Sequence, residues 1–358
     1  MRTWSRVLIG FLWGVAGCFL LDGLIFKSGF YSRFLSPDSA SGRFELILRT
    51  ELERPKNSGK QVVTVGDSRM AFLARVANEA TVGSGFTFAT ASAPGTTPRC
   101  WYYALRDLDP AKQRYSAVLL PVDSYQDIDS TDNLADRLTD LTYLAARLRL
   151  TDTLEFTGSI PSPSLRWKAF RDCLFRGALF KLDVQDFLAN PPARIDALSW
   201  ARTEWRQFAY NAPGDSRGLA GLSVDWTTRK ISYPAGIDPG TRGLVEASIL
   251  WPDYPSTGQA RAYRKEWFGR IIERYRGSRT RLIFLRLPRG PVPLPRWFTP
   301  KPTASILEFQ SRPNVIVMDE HAFDELECPE LFLDPLHLNA EGSARFSRML
   351  AERVRALI

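Results

Sequence analysis

The chain has 358 residues, 44% of them hydrophobic and 24% charged, with a formal net charge of +8. That is enough chain for one large domain or two ordinary ones, and the hydrophobic share excludes a disordered or low-complexity polypeptide. The positive balance favours anionic partners, but the sequence carries no zinc-finger spacing, Gly-rich phosphate loop or basic block, so no nucleic acid is expected as a partner.

The first thirty residues have their own logic. Arg2 and Arg6 precede an apolar run from Val7 to Leu21, which resumes after Asp22 and ends at Phe26. About twenty helical residues span about 30 Å, the thickness of a bilayer core. Positive charge ahead of the span predicts a cytoplasmic N-terminus, with the remaining chain in a periplasm or its equivalent. Residues 1–29 are therefore read as a cytoplasmic tip and a single-pass anchor in the cytoplasmic membrane. Val15-Ala16-Gly17-Cys18 also resembles a lipobox, with Cys18 as the lipidated residue, and a cleaved secretory signal is a further alternative. The length of the run favours the uncleaved anchor. In that compartment Cys100, Cys173 and Cys328 could form one disulfide and leave one thiol, or stay buried as small apolar residues.

Residues 30–60 read as a juxtamembrane connector, with a turn at Ser36-Pro37-Asp38-Ser39 and a helix over Phe44–Leu52. Gln61–Met70, QVVTVGDSRM, is the stretch around which the rest is organised. Val62, Val63 and Val65 make a buried strand, Gly66 ends it, and Ser68 follows at its carboxyl end, where open α/β sheets bind ligands. Helical character over Met70–Val76 places Ser68 near a helix N-terminus, whose N–H groups can stabilise an oxyanion. Phe86–Thr90 is a second strand and Pro98 opens a helix carrying Trp101, Tyr102 and Leu105. Tyr115–Pro121 is a third strand, apolar enough to be buried on both faces.

From about 125 to 275 lies a long, aromatic-rich insertion. Helices are expected near Leu134–Leu150, Leu165–Phe187 and Asp196–Phe208, then a turn-rich segment over Ser232–Thr257 containing Trp251-Pro252-Asp253-Tyr254. Gln259–Tyr275 reads as an amphipathic helix with Tyr263, Trp267, Ile271 and Ile272 on its apolar side. Arg281–Leu287 and Val315–Met318 are the fourth and fifth strands, and the Pro-rich loop 288–302 borders the expected site. Asn339 caps a final helix over Ala340–Ile358.

Chemistry points to two blocks. A serine hydroxyl attacks an acyl carbonyl only when a base takes its proton, and that base is usually a histidine oriented by a carboxylate. The chain has two histidines. His337 is preferred because Asp334, three residues earlier, can orient it; His321 in Met318-Asp319-Glu320-His321 is the rival. Asp67 reads as a hydrogen-bonding turn residue, and Arg69 as either an anion-binding or an ion-paired side chain.

Gly66-Asp67-Ser68 after the first strand and Asp334-Pro335-Leu336-His337 before the last helix resemble the SGNH (GDSL-type) hydrolase superfamily. Met70 replaces the second glycine of a G-x-S-x-G elbow, so the α/β-hydrolase motif does not fit. The resemblance implies a three-layer α/β/α sandwich with a mainly parallel five-stranded sheet over residues 61–358. It makes Ser68, His337 and Asp334 the catalytic triad, and it gives Gly95 and the Ser68 N–H to the oxyanion hole. The third block departs from the family, which has an asparagine donor. Here Pro121-Val122-Asp123-Ser124-Tyr125 offers an Asp123 carboxylate, which only accepts hydrogen bonds, so Ser124 or backbone groups alone would complete the hole.

An exported domain of this kind on an anchor resembles the accessory proteins of polysaccharide O-acylation. That implies a serine esterase or acyltransferase acting on acyl esters, acetyl first among them, of an exported polysaccharide or cell-wall glycan. A membrane-bound O-acyltransferase would be its partner; the alternative is a non-catalytic binding or assembly partner of that enzyme. Serine acyl chemistry needs no cofactor, and the sequence offers no metal-ligand cluster.

Overall fold

The computed structural model describes residues 2–55, 59–71, 73–80, 82, 85–125, 134–204, 218–250, 258–293 and 304–358. The chain divides into two compact units. One comprises Met1–Arg49 and Ala135–Gln207, the other Thr50–Leu134 and Phe208–Ile358.

The first unit begins with the helix Arg2–Asp22, continued by a π-helical turn, Gly23–Lys27. The helical stretch Val7–Arg33 is long and apolar enough to cross a membrane, with a mean hydropathy of 2.0. Its carboxyl end is anchored by charge. Asp22 and Lys27 pair at 3.3 Å, Asp22 accepts the Gly177 N–H at 2.7 Å, and the Lys27 ammonium donates to the Leu174 carbonyl at 2.5 Å. Each charge is thus paired and also hydrogen-bonded, as burial of both requires.

Those same bonds explain why Leu165–Phe187, one helical stretch by pattern, is broken in two. Helices Pro163–Leu174 and Lys181–Ala189 flank a short 3-10 turn at Arg176–Ala178. The Gly177 N–H serves Asp22 instead of a helix, and a Cβ at Gly177 would sit 2.9 Å from the Phe26 ring. Residues 30–49 are packed within this unit. Tyr31 donates to Asp183 at 2.6 Å, and Glu45 in the helix Ala40–Glu53 takes both Arg49 and Arg147. The helix expected over Asp196–Phe208 is Pro191–Glu204, which starts five residues before the expected point, and residues 205–208 of that expectation lie outside the described residues.

The second unit is α/β. Strands β1 (Lys60–Thr64), β2 (Phe86–Thr90), β3 (Ala117–Val122), β4 (Ser223–Asp225), β5 (Lys230–Ser232), β6 (Arg281–Arg286) and β7 (Val315–Val317) follow in chain order. Five of them form one sheet in the order β2-β1-β3-β6-β7, with all pairs parallel, and β4 and β5 make a separate antiparallel ribbon. Every residue of β3 is buried, as its apolar sequence requires.

The register puts alternate side chains on each face. Val62, Phe88, Leu119 and Ile283 share a core with Leu73 and Ala77 of the helix Leu73–Ala80 and with Phe346, Leu350 and Val354 of the final helix, Ala340–Leu357. Phe284, one residue on, turns instead to Phe268 of the helix Gly258–Arg274, ring to ring at 5.1 Å. Phe268 in turn meets Trp101 of the helix Pro98–Leu108 at 6.2 Å. Tyr263, Trp267, Ile271 and Ile272 are all buried.

The segment 232–257 is not turns throughout. Helix Pro239–Ile249 lies within it, capped by Asp238, whose side chain accepts the Thr241 N–H at 3.0 Å. The signal was present as an N-cap aspartate followed by proline at the first helical position. Trp251-Pro252-Asp253-Tyr254 and residues 294–303 lie outside the described residues. Cys100 and Cys173 are buried, Cys328 is half-buried and Cys18 exposed, and no disulfide joins any two of them.

Candidate active site

Three loops meet at the carboxyl end of the sheet because β1 lies between β2 and β3 and all three run the same way. The loop after β1 turns at Gly66, whose φ is +155°. A Cβ there would sit 2.7 Å from the Cβ and Cγ of Met70 and 3.1 Å from Pro121, so only glycine fits. The Gly66 carbonyl accepts from the Ala93 N–H at 3.0 Å and the Thr96 hydroxyl at 2.8 Å. Those two bonds hold the loop carrying Gly95 against the loop carrying Ser68.

Ser68 does not sit at a helix N-terminus. The helix starts at Leu73, and Ser68–Ala71 form a turn. The Asp67 carboxylate takes the Arg69 N–H at 2.9 Å and the Asp67 carbonyl takes the Met70 N–H at 3.2 Å, which commits this stretch to turn geometry. Met70 is drawn fully into the core.

From the other end of the chain, Phe332 and Leu338 form an antiparallel bridge, and the Leu333 N–H donates to the His337 carbonyl at 2.8 Å. The bridge closes a tight loop whose tip is Asp334-Pro335-Leu336. Asp334 Oδ1 accepts the Leu336 and His337 N–H groups, each at 2.8 Å, and Asp334 Oδ2 lies 2.8 Å from His337 Nδ1. Burial alone would raise the Asp334 pKa; the His337 ring and the two backbone donors outweigh it and hold the carboxyl below its ordinary value. Asp334 is therefore ionised at neutral pH and can only accept, so Nδ1 carries the ring proton. His337 Nε2 then presents its lone pair to the Ser68 hydroxyl, 2.7 Å away.

Behind this loop, Asn339 accepts the Gly342 N–H at 3.0 Å and donates to the Glu330 carbonyl at 2.7 Å, joining the start of the final helix to the segment before it. The backbone of Gly290, in the loop after β6, approaches the Pro335 carbonyl so closely that a Cβ would lie 2.9 Å from it.

His321 takes no part in this arrangement. It is largely exposed and bonds Asp324 through Nδ1 at 2.7 Å, beside Arg286, which also holds Glu327 at 2.7 Å.

Arg69 is ion-paired. Its guanidinium reaches Asp67 at 2.7 Å and Asp123 at 2.6 Å. Burial would lower its pKa, but the Asp123 and Asp67 carboxylates more than reverse that and push it up, so the cation is permanent. Asp123 thus serves as a counter-ion, tying the end of β3 to the loop that carries Ser68. Gly95, at φ +72°, and the buried Ser124 lie at the ends of β2 and β3, the strands that flank β1. Among the described residues, neither the Ser68 nor the Gly95 N–H has a protein acceptor.

Sequence comparison adds no family to this geometry: the chain matches no protein-family model and no curated protein.

Proposed function

We propose that the chain is a membrane-anchored, extracytoplasmic serine acyl-transfer enzyme of the SGNH type, with Ser68, His337 and Asp334 as its catalytic triad. The observation that carries this reading is the continuous relay from Asp334 through His337 to Ser68, at 2.8 and 2.7 Å. Two further features support it: the serine, glycine and third blocks sit at the ends of three adjacent parallel strands, and helices pack on both sets of alternating sheet residues, in keeping with a three-layer SGNH sandwich.

Ser68 Oγ attacks the acyl carbonyl as its proton passes to His337 Nε2. The free Ser68 and Gly95 N–H groups, with Ser124, receive the oxyanion. Collapse expels the donor alcohol, which takes the proton from His337 and leaves an acyl-serine. A glycan hydroxyl then attacks that ester, giving its proton to His337, which returns it to Ser68 Oγ as the acyl group departs. The acceptor is a hydroxyl of an exported polysaccharide or cell-wall glycan, whose acyl ester, acetyl first, is the product of transfer and the substrate when the enzyme works as an esterase; a membrane-bound O-acyltransferase is the partner that supplies the acyl donor.

A second reading, a non-catalytic assembly partner of such an acyltransferase, draws on the third block, where Asp123 is held by Arg69 and no asparagine is present.

The test is mass spectrometry of the full chain after an activated acetyl ester, then with a labelled acceptor glycan. Acetyl on Ser68, absent in His337→Ala, that moves to the glycan supports the enzyme. Loss to water alone makes it an esterase. A folded protein with no adduct, and a Ser68→Ala variant that keeps its cellular role, supports the assembly partner.

A further inference from the structure

The first unit displays large apolar side chains to the outside. Trp167 is 67% exposed, Leu182 78%, Leu188 69% and Trp200 61%. Single exposed apolar residues need no explanation, but these four and Ile195, five on three consecutive helices of one small unit, do.

Their level relative to the N-terminal helix follows from contacts within the unit. At about 1.5 Å per residue, a bilayer core of about 30 Å entered at Val7 is left near Phe26. Phe19 lies seven residues earlier in the sequence, about 10 Å deeper. The turn between Pro163–Leu174 and Lys181–Ala189 packs on this stretch. Phe175 meets Phe19 at 6.0 Å and Phe180 stacks on Phe26 at 5.7 Å. The Lys27 bond to Leu174 and the Asp22 bond to Gly177 fix the same level. The next helix is tied just past the span, with Arg194 donating to the Phe34 carbonyl at 2.7 Å and Arg202 to that of Arg33 at 3.3 Å.

We infer that helices Pro163–Leu174, Lys181–Ala189 and Pro191–Glu204 form a second membrane contact, seated in the lipid interface around the emerging anchor through Trp167, Leu182, Leu188 and Trp200. The occupant of this surface is lipid, because the three helices that carry it are bonded to the chain at and just past the carboxyl end of the helix long and apolar enough to cross a membrane. Tryptophan suits the headgroup level, where its ring is half apolar and half polar. Exposed Arg166, Lys168, Arg171 and Lys181 on the same helices suit lipid phosphates. The unit then works as a collar that fixes the anchor's exit as a broad footing.

This inference rests on the N-terminal helix spanning the bilayer, and one experiment separates the two. The full chain is reconstituted in pure lipid vesicles containing a lipid with a photoreactive diazirine in its acyl chain, irradiated and mapped by peptide mass spectrometry. Adducts are expected on peptides from 7–26 and, within about tenfold of that yield, on peptides from 163–204. They should be at least fivefold rarer on the exposed apolar residues Leu244 and Leu307 of the other unit. The double variant Trp167→Asp/Trp200→Asp should lose the 163–204 adducts and keep those on 7–26. Adducts confined to 7–26 overturn the inference and leave the anchor standing; adducts on neither overturn both. Cross-links from 163–204 to another protein in native membranes, with none to lipid in vesicles, assign the surface to a protein partner and overturn it too.

Discussion

Arg69, one residue beyond Ser68, and Asp123 are joined at 2.6 Å across the ends of two adjacent parallel strands. The contact gives the Asp123 carboxylate a role. A carboxylate there cannot donate to an oxyanion, but as the second counter-ion of Arg69 it braces the loop that presents Ser68. Arg69→Ala leaves Asp67 and Asp123 without their cation, whereas Asp123→Ala leaves Arg69 still held by Asp67. The arginine variant is therefore expected to lose more stability, about 2–4 kcal/mol against about 1–2 kcal/mol, the pair being partly exposed. Chemical denaturation of the two single variants and the double variant measures this. A double variant equal to the sum of the singles would show that the two do not interact.

The proposed Asp334–His337–Ser68 relay makes a sharper prediction. Ser68→Ala and His337→Ala should each lower acyl transfer by about a thousandfold or more, and combining them should cost no more than either alone, because the residues act as a unit. Asp334→Asn should keep the fold and lose a hundredfold or more, through the wrong imidazole tautomer. Its stability has a signed pH dependence. Asp334 titrates lower in the folded protein than its ordinary value, so its contribution is present above about pH 3.9 and fades as pH falls through the lower folded value. Melting curves of wild type and Asp334→Asn should differ by a constant at neutral pH and converge at acid pH. A gap that widens on acidification would contradict the assigned charge state.

How far the sequence foretold this arrangement differs by element. Buried strands were legible because β-branched runs bounded by glycine and proline state their own ends: β2 is found over the expected residues, and β6 and β7 differ by one residue at the carboxyl end. The final helix was legible through Asn339, which does cap it. What could not be read were effects of distant partners. Nothing local to Gly177 reveals that an aspartate 155 residues earlier will take its N–H and break a helix. Arg69 stayed ambiguous for the same reason, since its second counter-ion, Asp123, lies on another strand. The helix at 239–249 was a failure of a different kind, because its cap was local and was outweighed by the glycines and prolines around it.

Gly66 offers a test of how tightly the Ser68 loop is set. Alanine there meets the Met70 Cβ, a backbone-anchored atom, at 2.7 Å, and must also hold a φ of +155°. We expect Gly66→Ala to cost about 3 kcal/mol or more and to abolish labelling of Ser68 by a fluorophosphonate. Adding Met70→Ala should not rescue it, because the clashing Cβ remains. Recovery of labelling in that double variant would mean that the side-chain end of Met70, and not the backbone geometry, sets the loop.

Asn339, at the other end of the chain, should separate stability from activity. Its side chain caps the final helix through the Gly342 N–H and also holds the Glu330 carbonyl, while its own N–H donates to the Leu331 carbonyl at 2.8 Å. Losing the cap should cost about 1 kcal/mol, and losing the bond to Glu330 adds about another 1 kcal/mol. Asn339→Asp keeps the acceptor for Gly342 and loses the donor to Glu330, whereas Asn339→Ala loses both. Stability should therefore fall in the order wild type, Asp, Ala. Activity should follow a different rule. The His337 loop is closed by the Phe332–Leu338 bridge and the Leu333 bond, neither of which uses the Asn339 side chain. Below the melting temperature both variants should keep kcat within about tenfold of wild type, a loss of under 1.4 kcal/mol in the barrier. A collapse of kcat in a folded Asn339→Ala protein would show that the cap itself positions His337.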